Sequence, residues 1–248
     1  MTGRTPFSRL ALLGAALAIA SCSDTATQPS VPNISARSVS ANGSTALGFN
    51  GVDASTSTPA GTLVTTQIDD IAYDVMVRFD GANAADANQV VIYNGHSGVT
   101  GWGILVLGPS DGVAEGTLTI LAGGIVVAFT PLTLTQGSWQ HLRAERRAGN
   151  VTVTLDDQTF DLGFIPVNPL AGGFAAIEQT SVGASGPFDG PFGGFFNGAI
   201  DKVRIQNLVD DSWIERWNLN ERSGPTTTGV NGTVLHLGTT VWTPRGQG

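Results

Sequence analysis

Residues 137–162 read GSWQHLRAERRAGNVTVTLDDQTFDL, and this stretch decides the fold. Within it, Val151, Val153 and Leu155 share one parity while Thr152 and Thr154 take the other. Side chains alternate between the two faces of a strand, so the pattern predicts a strand with one buried face. Runs at 139–146 and 158–162 flank it as further strand candidates. Outward from there the signature repeats. In YDVMVRF, Tyr73, Val75, Val77 and Phe79 lie on one face, with Asp74 and Arg78 on the other. Runs at 45–49, 62–66, 89–93, 102–107, 116–121, 124–129, 174–178, 199–206 and 232–237 complete the strand candidates.

Between these runs stand Gly, Asn, Asp and Pro, and glycine alone numbers 33. Abundant Val, Ile and Thr with sparse charge suit strands and turns. The one helix-like stretch, Asp210 to Leu219, could equally be a strand. Many short strands without a long 3.6-residue period predict an all-β fold of two packed antiparallel sheets.

The N-terminus has a different character. Arg4 and Arg9 precede an apolar run, Leu10 to Ala20, which ends in Ile19-Ala20-Ser21-Cys22. A spanning helix needs about 20 apolar residues, so this run reads as the core of a signal peptide. The tetrapeptide resembles a bacterial lipobox, and Cys22 is the chain's one cysteine. The expectation is a signal peptide over 1–21 and a lipid on Cys22. A Ser-, Thr-, Pro- and Asn-rich tether over 22–43 then leads to a folded domain over 44–248. With Cys22 lipidated, no thiol remains for a disulfide. The implied location is the bacterial cell envelope, and Ser23 is compatible with outer-membrane delivery.

Net charge is −8, and removal of 1–21 takes two arginines and no acid, leaving −10. Nucleic-acid binding rests on neutralising phosphates, so an acidic domain is a poor candidate for it. Docking on anionic lipid through the protein surface is equally disfavoured. Membrane contact is expected through the lipid alone.

Three stretches resemble laminin-G-like domains of the concanavalin A-like lectin and glucanase superfamily. They are ALGFNGVDASTSTP (46–59), the hairpin at 137–162, and GFFNGAIDKVRI (194–205). They occur in family order and cover roughly 46–208. The resemblance implies a jelly-roll sandwich with one curved sheet, whose concave side and rim loops are open to ligands. Two departures stand out. The hairpin carries Asp156-Asp157-Gln158 where the family usually has Asp-Gly, so Asp157 is expected in the left-handed conformation. The tail WNLNERSGPTTTG (217–229) is similar to a segment that usually precedes such domains. Residues 209–248 are expected as an edge extension of the same sandwich, with a truncated second module as the alternative.

Catalysis finds little support. Glycoside hydrolysis needs two carboxylates about 5–5.5 Å or 6.5–9.5 Å apart. A Glu-x-Asp-x-Glu strand pattern is absent, and Glu115, Glu145, Glu178, Glu215 and Glu221 are scattered. Ser185-Gly186 lacks the context of a nucleophile elbow. His96, His141 and His236 lack metal-ligand spacing, and His141 reads as a structural hydrogen-bonding residue.

Asp201 shares parity with Ala199, Val203 and Ile205, so it is expected on the apolar side, where an unpaired carboxylate is costly. A hard cation would compensate it, and the resemblance implies a structural calcium between Asp201 and the opening loop, Asn50 to Asp53. Capping of backbone amides or pairing with an arginine is the competing reading. Trp102, Trp139, Trp217 and Phe196 read as core. In the loop 183–198, Phe188 and Phe192 sit among Gly and Pro beside Asp189. That composition suits sugar stacking or a protein contact, with burial under the loop as the alternative. The sequence therefore reads as a lipid-anchored, non-catalytic module for an extracellular glycan or envelope protein. A structural envelope role and a glycoside hydrolase-like enzyme are the rival readings.

Overall fold

The structure is a computed structural model that describes residues 45–66, 69–81, 88–96, 100–122, 125–165, 179–184 and 194–245. Its strands, in chain order, begin with Thr45–Asn50 (β1), Thr56–Ser57 (β2), Ile71–Phe79 (β3), Gln89–Gly95 (β4) and Trp102–Leu107 (β5). Thr117–Ala122 (β6), Ile125–Thr133 (β7), Trp139–Arg147 (β8), Asn150–Leu155 (β9), Gln158–Phe164 (β10) and Gln179–Val182 (β11) follow. The C-terminal part holds Asn197–Asn207 (β12), Trp213–Trp217 (β13), Thr226–Thr228 (β14), Val234–His236 (β15) and Val241–Pro244 (β16). No described helix is long and apolar enough to cross a membrane.

The strands form two antiparallel sheets of eight. One runs β10-β9-β8-β3-β12-β1-β16, with β13 also paired to β12; the other runs β14-β15-β2-β11-β4-β5-β6-β7. These are the two packed antiparallel sheets that the alternating runs predict, in the jelly-roll form that the resemblance implies. The first sheet gives its inward parity to the core through Tyr73, Val75, Val77, Leu142, Val153 and Ile200, and the second answers with Ile92, Trp102, Ile104, Leu118 and Ile120. Tyr73 and Trp102 stack across the sandwich at 4.2 Å between ring centroids and 21° between planes.

The run 62–66 is not a strand; it touches the second sheet at one bridge, Thr62 to Gln179. Asp210 to Leu219 holds β13 rather than a helix. The segment 174–178 lies outside the described residues. Residues 209–248 supply strands to both sheets, β13 and β16 to the first and β14 and β15 to the second. At the 155–158 turn the left-handed residue is Asp156 (φ 54°), not Asp157. The neighbouring strand β8 holds it there: the Asp156 carboxylate accepts from the His141 amide at 2.8 Å and from Gln140 Nε2 at 3.1 Å. A short polar side chain that bonds nearby backbone tolerates that conformation.

The closing strand departs from simple alternation. Lys202 sits at φ 51°, and the β12–β3 register shifts between Asp201 and Arg204. Such a bulge adds one residue and reverses parity beyond it. Ile200, Val203 and Ile205 therefore all reach the core. Asp201 instead pairs with Met76 on the outer face, and the expectation that it shares a face with Val203 and Ile205 is corrected.

Candidate functional site

Two neighbouring regions of the first sheet gather chemically capable groups. The first is a cleft of ≈ 220 Å³ between β1, the start of β12 and the C-terminal strand. Its walls include Phe49, Asn50, Arg78, Asp80, Thr239, Val241 and Thr243, with Gly48 and Gly198. The Arg78 guanidinium donates in a fork to Asp80, Nε at 2.9 Å and Nη2 at 2.7 Å. Gly198 has φ 152°, and a Cβ there would come within 3.0 Å of the Arg78 carbonyl oxygen. Only glycine lets β12 approach β3 so closely at the cleft wall.

Asn50 closes the opening loop. Its Oδ1 accepts from the amides of Val52, Asp53 and Ala54 at 3.0, 3.1 and 3.0 Å, while Nδ2 donates to Asp53 Oδ1 at 2.7 Å. Thr239 donates its hydroxyl to the Asp53 carbonyl at 2.8 Å, tying the tail to this loop. The structure thus brings Asn50 and Asp53 together but leaves Asp201 elsewhere. Leu47 pairs with Ile200 and Asn50 with Asn197, so Asp201 lies four residues up β12 from the loop, roughly 13 Å. Asp201 pairs instead with Arg245, Nη1 to Oδ2 at 2.8 Å. Among the described residues no group of three His, Cys, Asp or Glu could hold a metal ion. The three residues do not fit one calcium site, and the arginine reading of Asp201 is the one observed.

Phe188, Asp189 and Phe192 lie outside the described residues, as does Cys22. The described flanks of that loop are tied beside the cleft. Phe196 donates its amide to Gly183 at 2.9 Å, and Gly51 donates to the Phe196 carbonyl at 2.9 Å. Phe49, a cleft residue, meets the Phe196 ring edge-on at 6.3 Å.

The second region is the outer face of β8, β3, β12 and β13. Register sets its side chains in rows: Trp139 beside Arg78, His141 beside Met76 and Asp201, then Arg143, Asp74, Arg204 and Arg216. Asp74 is 4 % exposed and meets His141 Nε2 at 2.9 Å, Arg143 Nη1 at 3.4 Å and Arg204 Nη1 at 3.8 Å. Burial pushes the Asp74 carboxyl up. The hydrogen bond and charge of His141, with the charges of Arg204 and Arg143, outweigh that and hold it below the usual range. His141 therefore has the structural hydrogen bond expected of it.

Trp102, Trp217 and Phe196 are core, with exposures of 1 %, 0 % and 0 %. Trp139 is not. It lies on the outer face, its ring 5.8 Å from the Arg78 guanidinium and 4.8 Å from that of Arg245. The signal was present in WQHLRAE, where inward Leu142 and Ala144 put Trp139 on the opposite parity. Of the glutamates, Glu145 accepts from Arg143 at 2.6 Å and Glu215 is fully buried among amides.

The two-sheet jelly-roll architecture is shared with solved structures of low sequence identity. A candidate carbohydrate-binding protein from Bacteroides ovatus superposes with a TM-score of 0.56 at 15 % identity, over 81 % of this chain and 60 % of that one. This chain thus spans about three-fifths of that protein's length. A heptameric SAP-like pentraxin from Limulus polyphemus gives 0.48 at 12 % identity, over 79 % and 96 % of the two chains. Mouse laminin α1 domains LG4-5 give 0.43 at 15 %, over 65 % and 40 %. In sequence, the chain matches no protein-family model and no curated protein.

Proposed function

We propose that this protein is a non-catalytic, extracytoplasmic binding module, lipid-anchored through Cys22, whose ligand is a glycan held at the Arg78–Asp80 cleft. The cleft itself carries the reading. Forked ionic groups, threonine hydroxyls and an amide alternate there with Phe49 and Val241. A sugar ring offers both surfaces, apolar on its face and polar at its edges. Phe188, Asp189 and Phe192 belong to a loop whose ends are tied beside this cleft, and we assign them to the same site. The fold likeness to the Bacteroides ovatus protein points the same way by analogy.

Filling the cleft tests the idea. Thr243→Trp should abolish binding on a glycan array while the melting temperature holds within a few degrees. Phe188→Ala with Phe192→Ala should weaken binding in the same assay. An array empty for the wild-type protein, beside specific capture of one envelope protein, would sink the glycan reading.

A further inference from the structure

The outer face of the first sheet holds a cationic surface that the overall charge of −8 conceals. Arg78, Arg143, Lys202, Arg204, Arg216 and Arg245, half of the chain's 12 lysines and arginines, stand on or over it. Some are neutralised: Arg78 by Asp80, Arg245 by Asp201, and Arg143 by Glu145 at 2.6 Å. The rest are not matched one to one. Among the described residues Arg204 has one ion-pair partner, Asp74 at 3.8 Å, and that carboxylate already serves His141 and Arg143. No ion pair among the described residues engages Arg216, which stands opposite Arg204 in the β12–β13 ladder.

What Arg204 and Arg216 share is an indole. Their guanidinium carbons lie 5.5 and 5.9 Å from the Trp213 ring, and both Nε atoms are buried without a hydrogen-bond acceptor. Two guanidiniums packed on a ring are held rigid and stay under-neutralised. That is the arrangement in which an arginine fork receives an oxyanion with little ordering cost. Lys202 tells the same story of crowded positive charge. Burial lowers its pKa first and Arg245 next, with Arg204 adding to both against the pull of Asp201.

This surface is continuous with the cleft. Arg78 lines the cleft and lies 5.8 Å from the Trp139 ring, Arg245 lies 4.8 Å from the same ring, and the arginine row begins four residues down β3 at Asp74. We propose that the ligand of the cleft is an oxyanion-bearing polysaccharide. Its carboxylate or sulfate groups are received by Arg204 and Arg216 beside Trp213, with Lys202 adding charge at the bulge. This rests on the glycan reading above and specifies its chemical class.

The experiment measures binding of the full chain to immobilised polygalacturonate, a sulfated galactan, neutral dextran, poly-L-glutamate and anionic phospholipid vesicles, at low and moderate salt. Expected is binding to an acidic polysaccharide that weakens with salt and falls at least about tenfold in Arg204→Gln with Arg216→Gln. Polygalacturonate against the galactan decides whether the group is carboxylate or sulfate. Lys202→Gln, at the surface of the bulge, should weaken binding several-fold and keeps the test decisive if the arginine pair fails to fold. Binding of neutral dextran alone overturns this inference and leaves the glycan reading standing. Equal binding of poly-L-glutamate or vesicles overturns the polysaccharide assignment. Acidic-glycan binding untouched by these substitutions overturns the location, and no binding to any sugar defeats both readings.

Discussion

Gly229 and Glu215 give a sharp test of how the C-terminal segment is fastened to the sandwich. Glu215, on β13, is fully buried, and its carboxylate accepts from the amides of Arg216, Asn231 and Thr233, each at 2.9 Å. A Cβ at Gly229 would come within 3.0 Å of Oε1, Cδ and Cγ of that side chain. Gly229→Ala must therefore displace the carboxylate from its amides. Hydrogen bonds to a charged group contribute about 1.5–3 kcal/mol each. Losing two of the three, with some recovery through relaxation, costs about 3 kcal/mol. For a domain of this size that is a fall of roughly 6–12 °C in melting temperature. Urea titration followed by tryptophan fluorescence suits the measurement, because Trp217 donates Nε1–H to the Thr233 carbonyl of the same turn at 2.9 Å. Glu215→Gln, which keeps the shape and removes the charge, should cost less than the alanine variant. A Gly229→Ala protein within about 0.5 kcal/mol of wild type, with the Thr233 amide still protected from exchange, would refute the argument.

Other outcomes follow from charge and burial. Burial pushes the Asp201 carboxyl up to about 6 against the pull of Arg245. The folded state then binds more protons than the unfolded one between about pH 4 and 6, so this group's contribution falls as pH rises through that window. Asp201→Asn should flatten the decline in urea midpoints measured across it. Glu215 has the opposite sign. Burial raises its pKa, but the amides of Asn231, Arg216 and Thr233 and the Thr233 hydroxyl bring it below the ordinary value. Its contribution is full above the ordinary glutamate range and lost as pH falls through the lowered value, so Glu215→Gln should narrow the acid-unfolding difference from wild type. Asp74→Asn strips the shared counter-charge from His141, Arg143 and Arg204 and should destabilise by about 3 kcal/mol, read in the same titration. Cys22→Ser should move the protein from the membrane fraction to the soluble one, with loss of the lipid mass at the mature N-terminus as the check.

Parity carried the sequence reading wherever strands are regular. VTVTL and YDVMVRF give their inward and outward faces correctly because nothing interrupts their ladders. Asp201 went to the wrong face because a bulge at Lys202, a residue type with no special liking for positive φ, inverts the alternation on either side of it. The helix-like run at 210–219 becomes a strand because tertiary pairing with β12 overrides a weak local preference. The cationic surface was hidden for another reason. Composition averages charge over the whole chain, whereas Arg204, Arg216 and Lys202 meet Arg78 and Arg245 only once four strands are laid in register. Register is long-range information, and single-strand periodicity does not contain it.

The placement of β1 also governs how this protein can fold. It lies between β12 and β16, so the first described strand is gripped by two strands near the opposite end of the chain. Until residues beyond 197 are available, β1 has no partner in its sheet. Closure thus joins segments separated by about 150 residues, the kind of non-local pairing whose loop entropy slows folding. A ribosome or secretion pore releasing the chain from its N-terminal side would hold the first sheet incomplete until residues beyond 197 emerge. While residues 51 to 196 emerge, the nascent chain carries a bare strand to protect, and the first sheet closes only when β12 and β16 reach it.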